Sequence, residues 1–121
     1  AVFYGRVSYP KMCGLLVSCD ACINPIIKGA AQSIINKHGD YAASGLPVIN
    51  TQPSDEYRSL IEHYNCGINC ECSNSICLAD AINHLMNNRD ECANMGGNSR
   101  ILAETMFDRN FSYEKIYRLF R

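Results

Sequence analysis

The sequence contains no tryptophan, no marked excess of either charge and no long apolar run. Its 121 residues carry 11 Lys and Arg against 12 Asp and Glu, a formal net charge of -1, whereas nucleic-acid-binding domains usually carry a basic excess. No apolar run approaches the roughly 20 residues that a membrane-spanning helix needs. With 47% hydrophobic residues and no repeats, the composition favours one soluble globular domain over a nucleic-acid binder, a membrane-spanning protein or a disordered chain.

Cysteine, by contrast, is abundant, with eight residues in the chain. A disulfide scaffold would be shorter and poorer in helix, and the Cys19-x-x-Cys22 pair has no second pair at matching spacing to complete a zinc site. Free, mostly buried thiols that act as small hydrophobes are the favoured interpretation, and they imply a reducing, cytoplasmic location. A cysteine-based zinc or thiol-redox protein stays open as an alternative.

Strand-like and helix-like patterns alternate along the chain. Strands are expected at residues 1–4, 20–25, 46–50 and 68–71, and helices at residues 10–18, 33–44, 54–65, 75–86, 90–106 and 113–121. This alternation predicts an α/β fold, a Rossmann-like, doubly wound parallel sheet of about four strands with helices on both faces. Ligands of such sheets bind beyond the carboxyl ends of the strands.

The first strand-like run begins at Ala1 and leads directly into Gly5. A chain that opens inside a strand is expected to be part of something longer, so we expect a domain truncated at its N-terminus. No internal boundary is evident, and residues 1–121 are therefore treated as a single domain.

The loop after the second predicted strand and the helix that follows it carry the most distinctive pattern. The helix is expected to begin with Ser33 as its N-cap, and free N–H groups in a first helical turn form a phosphate site. Lys37 would add a cation, and Asp40 a carboxylate suited to sugar hydroxyls. The alternative is a helix without a ligand, in which Lys37 and Asp40 form a surface ion pair of little value.

Gly39 lies within the same predicted helix. A glycine in a helix interior costs ~1 kcal/mol relative to alanine, so its presence requires either close packing or the close approach of a ligand. The segment lacks both the end of a Walker A loop and the GxGxxG pattern of dinucleotide-binding folds.

Five segments, in chain order, carry a resemblance to a known family. They are VFYGRV (residues 2–7), DACINP (20–25), KHGDYAASGLPVINT (37–51), YNCGI (64–68) and MGGNSR (95–100). Together they resemble the C-terminal, nucleotide-sugar-binding domain of retaining glycosyltransferases with the GT-B fold, family 4 or "group 1". That family shows K/E-x-x-E-x-x-A-x-G-x-P-V-I-x-T at the third segment, and the resemblance covers nearly the whole chain.

The resemblance implies roles for the positions that match the family pattern. The family has two acids eight positions apart, of which the second contacts the nucleotide ribose and falls on Asp40. The first falls on Gln32, so the usual glutamate is absent. Gln32, Ser33, Ile34 and Lys37 would bind the donor diphosphate.

The same resemblance places the nucleotide base near the first segment. The backbone of Arg6 and Val7 would face the base, with Tyr9 as a lid. The family's catalytic Arg and Lys, which neutralise the leaving diphosphate, would precede Ala1, so this fragment would contain no catalytic residues and would be inactive alone. Neither a metal nor a cofactor is expected, and the donor substrate would be a UDP-sugar.

The implied activity belongs to a longer bacterial parent enzyme of polysaccharide biosynthesis. It would transfer a hexosyl or related sugar to a glycan or lipid-linked acceptor held by a missing N-terminal domain, with peripheral association at the cytoplasmic face of the membrane. Two alternatives stay open besides the zinc or thiol protein. One is a non-catalytic doubly wound interaction domain, and the other is self-association of the isolated domain through the apolar helix at residues 113–120.

Overall fold

The computed structural model describes residues 1–30 and 34–120, in which helices and strands alternate. In chain order the elements are α1 (Tyr9–Val17), β1 (Cys22–Asn24), α2 (Asn36–Ala43), β2 (Val48–Asn50), α3 (Asp55–Tyr64), β3 (Gly67–Asn69), α4 (Ser75–Asn87), α5 (Arg89–Leu102), a π-helical turn (Ala103–Phe107) and α6 (Arg109–Leu119). The predicted α/β fold class is confirmed. Among the described residues, none of the helices has both the length and the apolar character needed to cross a membrane.

The three strands form one parallel sheet in the order β1-β2-β3. The prediction of about four strands is wrong at residues 1–4, which form no regular structure and leave Val2 and Phe3 exposed. A β-strand is stabilised by hydrogen bonds to a neighbour, and no strand pairs with this segment within the part of the chain that the structure describes. An apolar run alone therefore does not make a strand here.

Helices cover both faces of the sheet, and each face has its own core. Because successive strand residues point to opposite faces, Val48 packs into one core and Ile49 into the other. The first core lies on the side of the sheet that we call the α2 face. It includes buried residues of β1, β2, α2, α3, the end of α5 and the π-helical turn, among them Tyr57, Ile61 and Leu102. The second core is formed mainly by α4 and α5 against Ile49.

Two glycines are required by packing rather than by a turn. A Cβ on Gly67 would overlap the carbonyl oxygen of Val48, and a Cβ on Gly96 would overlap that of Gly45. Asn65, in a left-handed conformation (φ 48°), ends α3, and Gly67 begins β3. Glycine here allows neighbouring backbones to approach closely.

Four of the eight cysteines are buried, and all eight are free thiols. The buried residues Cys22, Cys66, Cys70 and Cys92 belong to the two cores, as expected of small hydrophobic side chains. Burial raises the pKa of the Cys22 thiol to about 11, which keeps it protonated. Among the described residues, no group of three or more His, Cys, Asp or Glu side chains is placed to hold a metal ion.

Candidate functional site

A row of asparagines crosses the carboxyl end of the sheet. Each strand ends in Ile-Asn, and the parallel register aligns Asn24, Asn50 and Asn69. Asn24 Nδ2 donates to Asn50 Oδ1 at 2.8 Å, and Asn50 Nδ2 donates to Asn69 Oδ1 at 3.0 Å. The three side chains therefore link the ends of all three strands at the edge where ligands of parallel sheets bind.

The backbone after β2 fixes the orientation of this row. Asn50 Oδ1 accepts from the Gln52 backbone N–H at 3.1 Å, and Asn50 Nδ2 donates to the Gln52 carbonyl. Since Asn50 presents its oxygen to Asn24, Asn24 must present its amino group in return. Asn24 Oδ1 is buried and has no hydrogen-bond partner among the residues that the structure describes, which is uncommon in folded proteins.

His38 joins α2 to this row from the α2 face. Its ring is 1% exposed and stacks on Tyr57, with ring centroids 3.5 Å apart and an interplanar angle of 4°. Nδ1 accepts from the Ile35 backbone N–H at 3.2 Å, so the ring proton is on Nε2, which donates to the Gln52 side chain. Asn24 Nδ2 lies 3.2 Å from Nε2, but it donates to Gln52 Oε1 and not to the ring. Burial, with a smaller contribution from the Lys37 charge, lowers the pKa of His38 to about 4, and the ring is therefore neutral at pH 7.

The opposite side of α2 borders an open cavity of about 830 Å³. We call it the α2 cavity, and its walls come from α1, α2, the end of α5, the π-helical turn and the start of α6. Its lining residues are Tyr9, Ile34, Ile35, Asn36, Gly39, Asp40, Ala43, Arg100, Ala103, Glu104, Phe107, Asp108 and Arg109. Across it, the Tyr9 hydroxyl donates to Asp40 Oδ1 at 2.9 Å.

The charges that line the α2 cavity nearly cancel. Three carboxylates, those of Asp40, Glu104 and Asp108, face two arginines, Arg100 and Arg109. Arg100 is already engaged, because it forms an ion pair with Glu104 at 2.8 Å and donates to the Ala43 carbonyl at 2.9 Å. Such a wall suits a ligand rich in hydroxyl groups better than a polyanion.

Gly39 contributes bare backbone to the α2 cavity. A Cβ at this position would meet only Phe107 Cβ, at 4.0 Å, which is an ordinary van der Waals distance. Close packing among the described residues therefore does not explain this glycine.

The predicted base and ribose residues are only partly brought together. Tyr9 and Asp40 meet in the α2 cavity, whereas Arg6 is exposed, Val7 is half-buried and neither lines the cavity. The alternative surface ion pair between Lys37 and Asp40 is not among the ion pairs of the described residues.

Two of the four predicted diphosphate residues, Ile34 and Lys37, lie at the start of α2. The helix begins at Asn36, after an extended Ile35, so the expectation that Ile34 and Ile35 belong to its first turn is wrong. Ile34 precedes the helix and lines the cavity, and Lys37 is half-buried in the first turn. Gln32 and Ser33 lie outside the described residues.

Sequence reasoning missed the polar group behind α2, which consists of Asn24, Asn50, Gln52 and His38. A signal for most of it was present, because each of the three paired strands ends in the same dipeptide, Ile-Asn. No spacing pattern identified Arg109, which follows the π-helical turn and reaches the cavity only through the tertiary fold.

No protein family model matches the chain, and no curated protein sequence is significantly similar to it. Among solved structures, the fold is similar to that of the Anabaena protein Alr3699/HepE, crystallised in complex with UDP, with a TM-score of 0.80 and 21% sequence identity. The likeness covers 95% of this chain and 30% of the Anabaena chain. The chain therefore has the fold of about a third of that longer protein, a Rossmann-like parallel sheet covered by helices on both faces.

Proposed function

We propose that the α2 cavity binds the ribose of a nucleotide-diphosphate sugar, and that the chain is the donor-binding part of a family 4 glycosyltransferase with the GT-B fold. The observation that carries this proposal is the position of Asp40. Its carboxylate faces an open cavity, on the first helix after a parallel strand, where the family pattern places the ribose-binding acid. A carboxylate accepts hydrogen bonds from the two hydroxyls of a ribose ring.

Gly39 supports the same ligand. The bare helix backbone beside Asp40 leaves room for a flat or ring-shaped group to lie against α2. The ring of Tyr9, which is 63% exposed, offers a surface for stacking a base, an interaction worth about 1–3 kcal/mol in nucleic-acid complexes.

The diphosphate would lie at the N-terminus of α2 rather than deep in the cavity. The cavity holds three carboxylates, which repel phosphate, whereas the first helical N–H groups and the helix dipole attract it. Lys37, in that first turn, supplies a positive charge beside them.

UDP is the proposed donor nucleotide, because the Anabaena protein of similar fold was crystallised with UDP. The acceptor, a glycan or a lipid-linked saccharide, would bind another domain of a longer cytoplasmic enzyme that associates peripherally with the membrane. The cations that neutralise the leaving diphosphate would also come from outside this chain. The chain is therefore expected to bind UDP weakly and to transfer no sugar.

The test is a titration of the ¹⁵N-labelled chain with UDP, followed by amide chemical shifts. We expect shifts in α2 around Gly39 and Asp40 at millimolar UDP, and an affinity about tenfold lower for Asp40→Ala, the value of a hydrogen bond to a charged group. Asp80→Ala, which removes an exposed aspartate of α4 outside the cavity, is the matched control and should bind like wild type. Unmoved α2 amides, or equal affinity for Asp40→Ala and wild type, would refute the ribose site.

A further inference from the structure

The hydrogen bond between Tyr9 and Asp40 occupies the carboxylate that the proposed ligand needs. It joins the first residue of α1 to the fifth residue of α2, 31 positions apart in the sequence, with an O···O distance of 2.9 Å. Among the described residues, Tyr9 is the only hydrogen-bond donor recorded for the Asp40 carboxylate. Asp40 therefore already accepts a hydrogen bond from one hydroxyl group.

The phenol of Tyr9 is a persistent donor. Its hydrogen bond to Asp40, and then its contact with Cys13 one turn along α1, raises the pKa of Tyr9 to about 12. The hydroxyl thus keeps its proton at every physiological pH. A phenol O–H directed at a carboxylate oxygen has the chemistry of the sugar O–H that would replace it.

We propose that Tyr9 is a competing latch on the nucleotide site, which a ligand must displace from Asp40 by supplying hydroxyl groups of its own. This inference rests on the proposed function. A ribose brings two adjacent hydroxyls and can satisfy both carboxylate oxygens, whereas the phenol satisfies one. The exchange therefore favours ligands with several hydroxyl groups. The net gain in affinity is smaller than the full strength of the ribose contact, because the hydrogen bond between Tyr9 and Asp40 is lost.

The surroundings of Tyr9 allow the latch to open without unfolding. The side chain is 63% exposed, so rotation about its first side-chain torsion can carry the hydroxyl into solvent. The backbone is held in place by Pro10 in the first turn of α1. An opened Tyr9 still presents its ring at the cavity, which separates the role of the ring from that of the hydroxyl.

The experiment is a double-mutant cycle on UDP affinity with wild type, Tyr9→Phe, Asp40→Ala and the double variant. Tyr9→Phe keeps the ring, removes the competitor and is expected to bind UDP about three- to fivefold more tightly than wild type. Asp40→Ala, about tenfold weaker in the wild-type background, becomes about 30- to 50-fold weaker in the Tyr9→Phe background, because the ribose contact then no longer replaces another bond.

Tyr64→Phe is the matched control, since it removes a hydroxyl that lies 3.0 Å from Thr105 Oγ1 on another surface, and it should bind UDP like wild type. If Tyr9→Phe binds UDP equally or less tightly, or if the Asp40→Ala effect shrinks in its background, Tyr9 orients Asp40 or merely stacks, and the latch is refuted. If no variant binds UDP, the proposed function itself fails, and the latch fails with it.

Discussion

The polar residues on the two sides of α2 differ in their burial and in the exposure of their partners. On the inner side, His38 is buried, neutral and held by a stacked ring and by the Ile35 backbone N–H. On the outer side, Asp40 is half-buried, and its recorded hydrogen bond goes to an exposed tyrosine. The two residues are two positions apart in the sequence, and successive residues of a helix turn by about 100°.

This difference assigns two roles to the two sides of α2: the inner side holds the helix in position, and the outer side can exchange hydrogen-bond partners. The inner side chain is shielded from solvent, so its interactions fix where α2 lies against the sheet. The outer carboxylate can trade one hydroxyl for another at little cost, because its partner is exposed to water. A helix that is fixed on one side can present an exchangeable group on the other without moving, and preorganisation of this kind limits the entropy lost on binding.

The largest expected effect comes from breaking the inner side. His38→Ala removes the ring stacked on Tyr57 and leaves the Ile35 N–H and the Gln52 side chain without this partner. We expect the free energy of unfolding to fall by about 3–4 kcal/mol, as for buried aromatic side chains. Urea denaturation followed by far-UV circular dichroism measures it.

Asp40→Ala is the matched control on the outer side, because it truncates a neighbouring polar residue of the same helix. It should change the free energy of unfolding by less than about 0.5 kcal/mol, as for exposed positions. Equal losses for the two variants would contradict the contrast between the sides of α2.

Lowering the pH should weaken the inner side of α2 without truncating a side chain, and so without leaving a cavity in the core. The pKa of His38 is lowered from 6.5 to about 4, so folding favours the neutral ring. Its contribution to stability is complete above pH 6.5 and is lost as the pH falls from 6.5 towards 4, by a total of about 3 kcal/mol. His38→Asn has no group at position 38 that can be protonated. Comparing its free energy of unfolding with that of wild type across this pH range isolates the stability lost through His38.

His38→Asn should therefore lose less stability than wild type between pH 6.5 and 4.5. Parallel curves for the two proteins would show that the histidine is not the acid-sensitive group. The two proteins differ only at position 38, so the difference between their curves reports on that side chain.

The sequence predicted most of the fold because the informative patterns were local. The apolar spacing of Tyr57, Leu60, Ile61 and Tyr64 predicted a helix at residues 54–65, and α3 spans Asp55–Tyr64. The strand at residues 1–4 failed for the opposite reason. Strand formation depends on a neighbour that the sequence pattern of the segment does not contain.

The candidate site was predictable where one helix carries it and unpredictable where distant segments meet. Asp40 could be found from its place in the family pattern. The hydrogen bond between Tyr9 and Asp40 and the stacking of His38 on Tyr57 depend on how separate elements pack, with sequence separations of 31 and 19 residues. His38 is one of three histidines in the sequence, and the burial of its ring in the structure identifies it as a structural residue.

The smallest expected effect is also the one in which stability and binding should move in opposite directions. Gly39→Ala and Gly97→Ala both place a methyl group in a helix where a Cβ meets nothing closer than 4.0 Å. Each should therefore raise the free energy of unfolding by about 0.5–1 kcal/mol through helix propensity. Only Gly39 lines the α2 cavity, so only Gly39→Ala should weaken UDP binding, by about tenfold, as an overpacked contact does. Urea denaturation and a UDP titration of both variants measure the two effects. If Gly39→Ala were stabilised and bound UDP like Gly97→Ala, the glycine would mark no ligand, and the ribose would have to contact α2 elsewhere than beside Asp40.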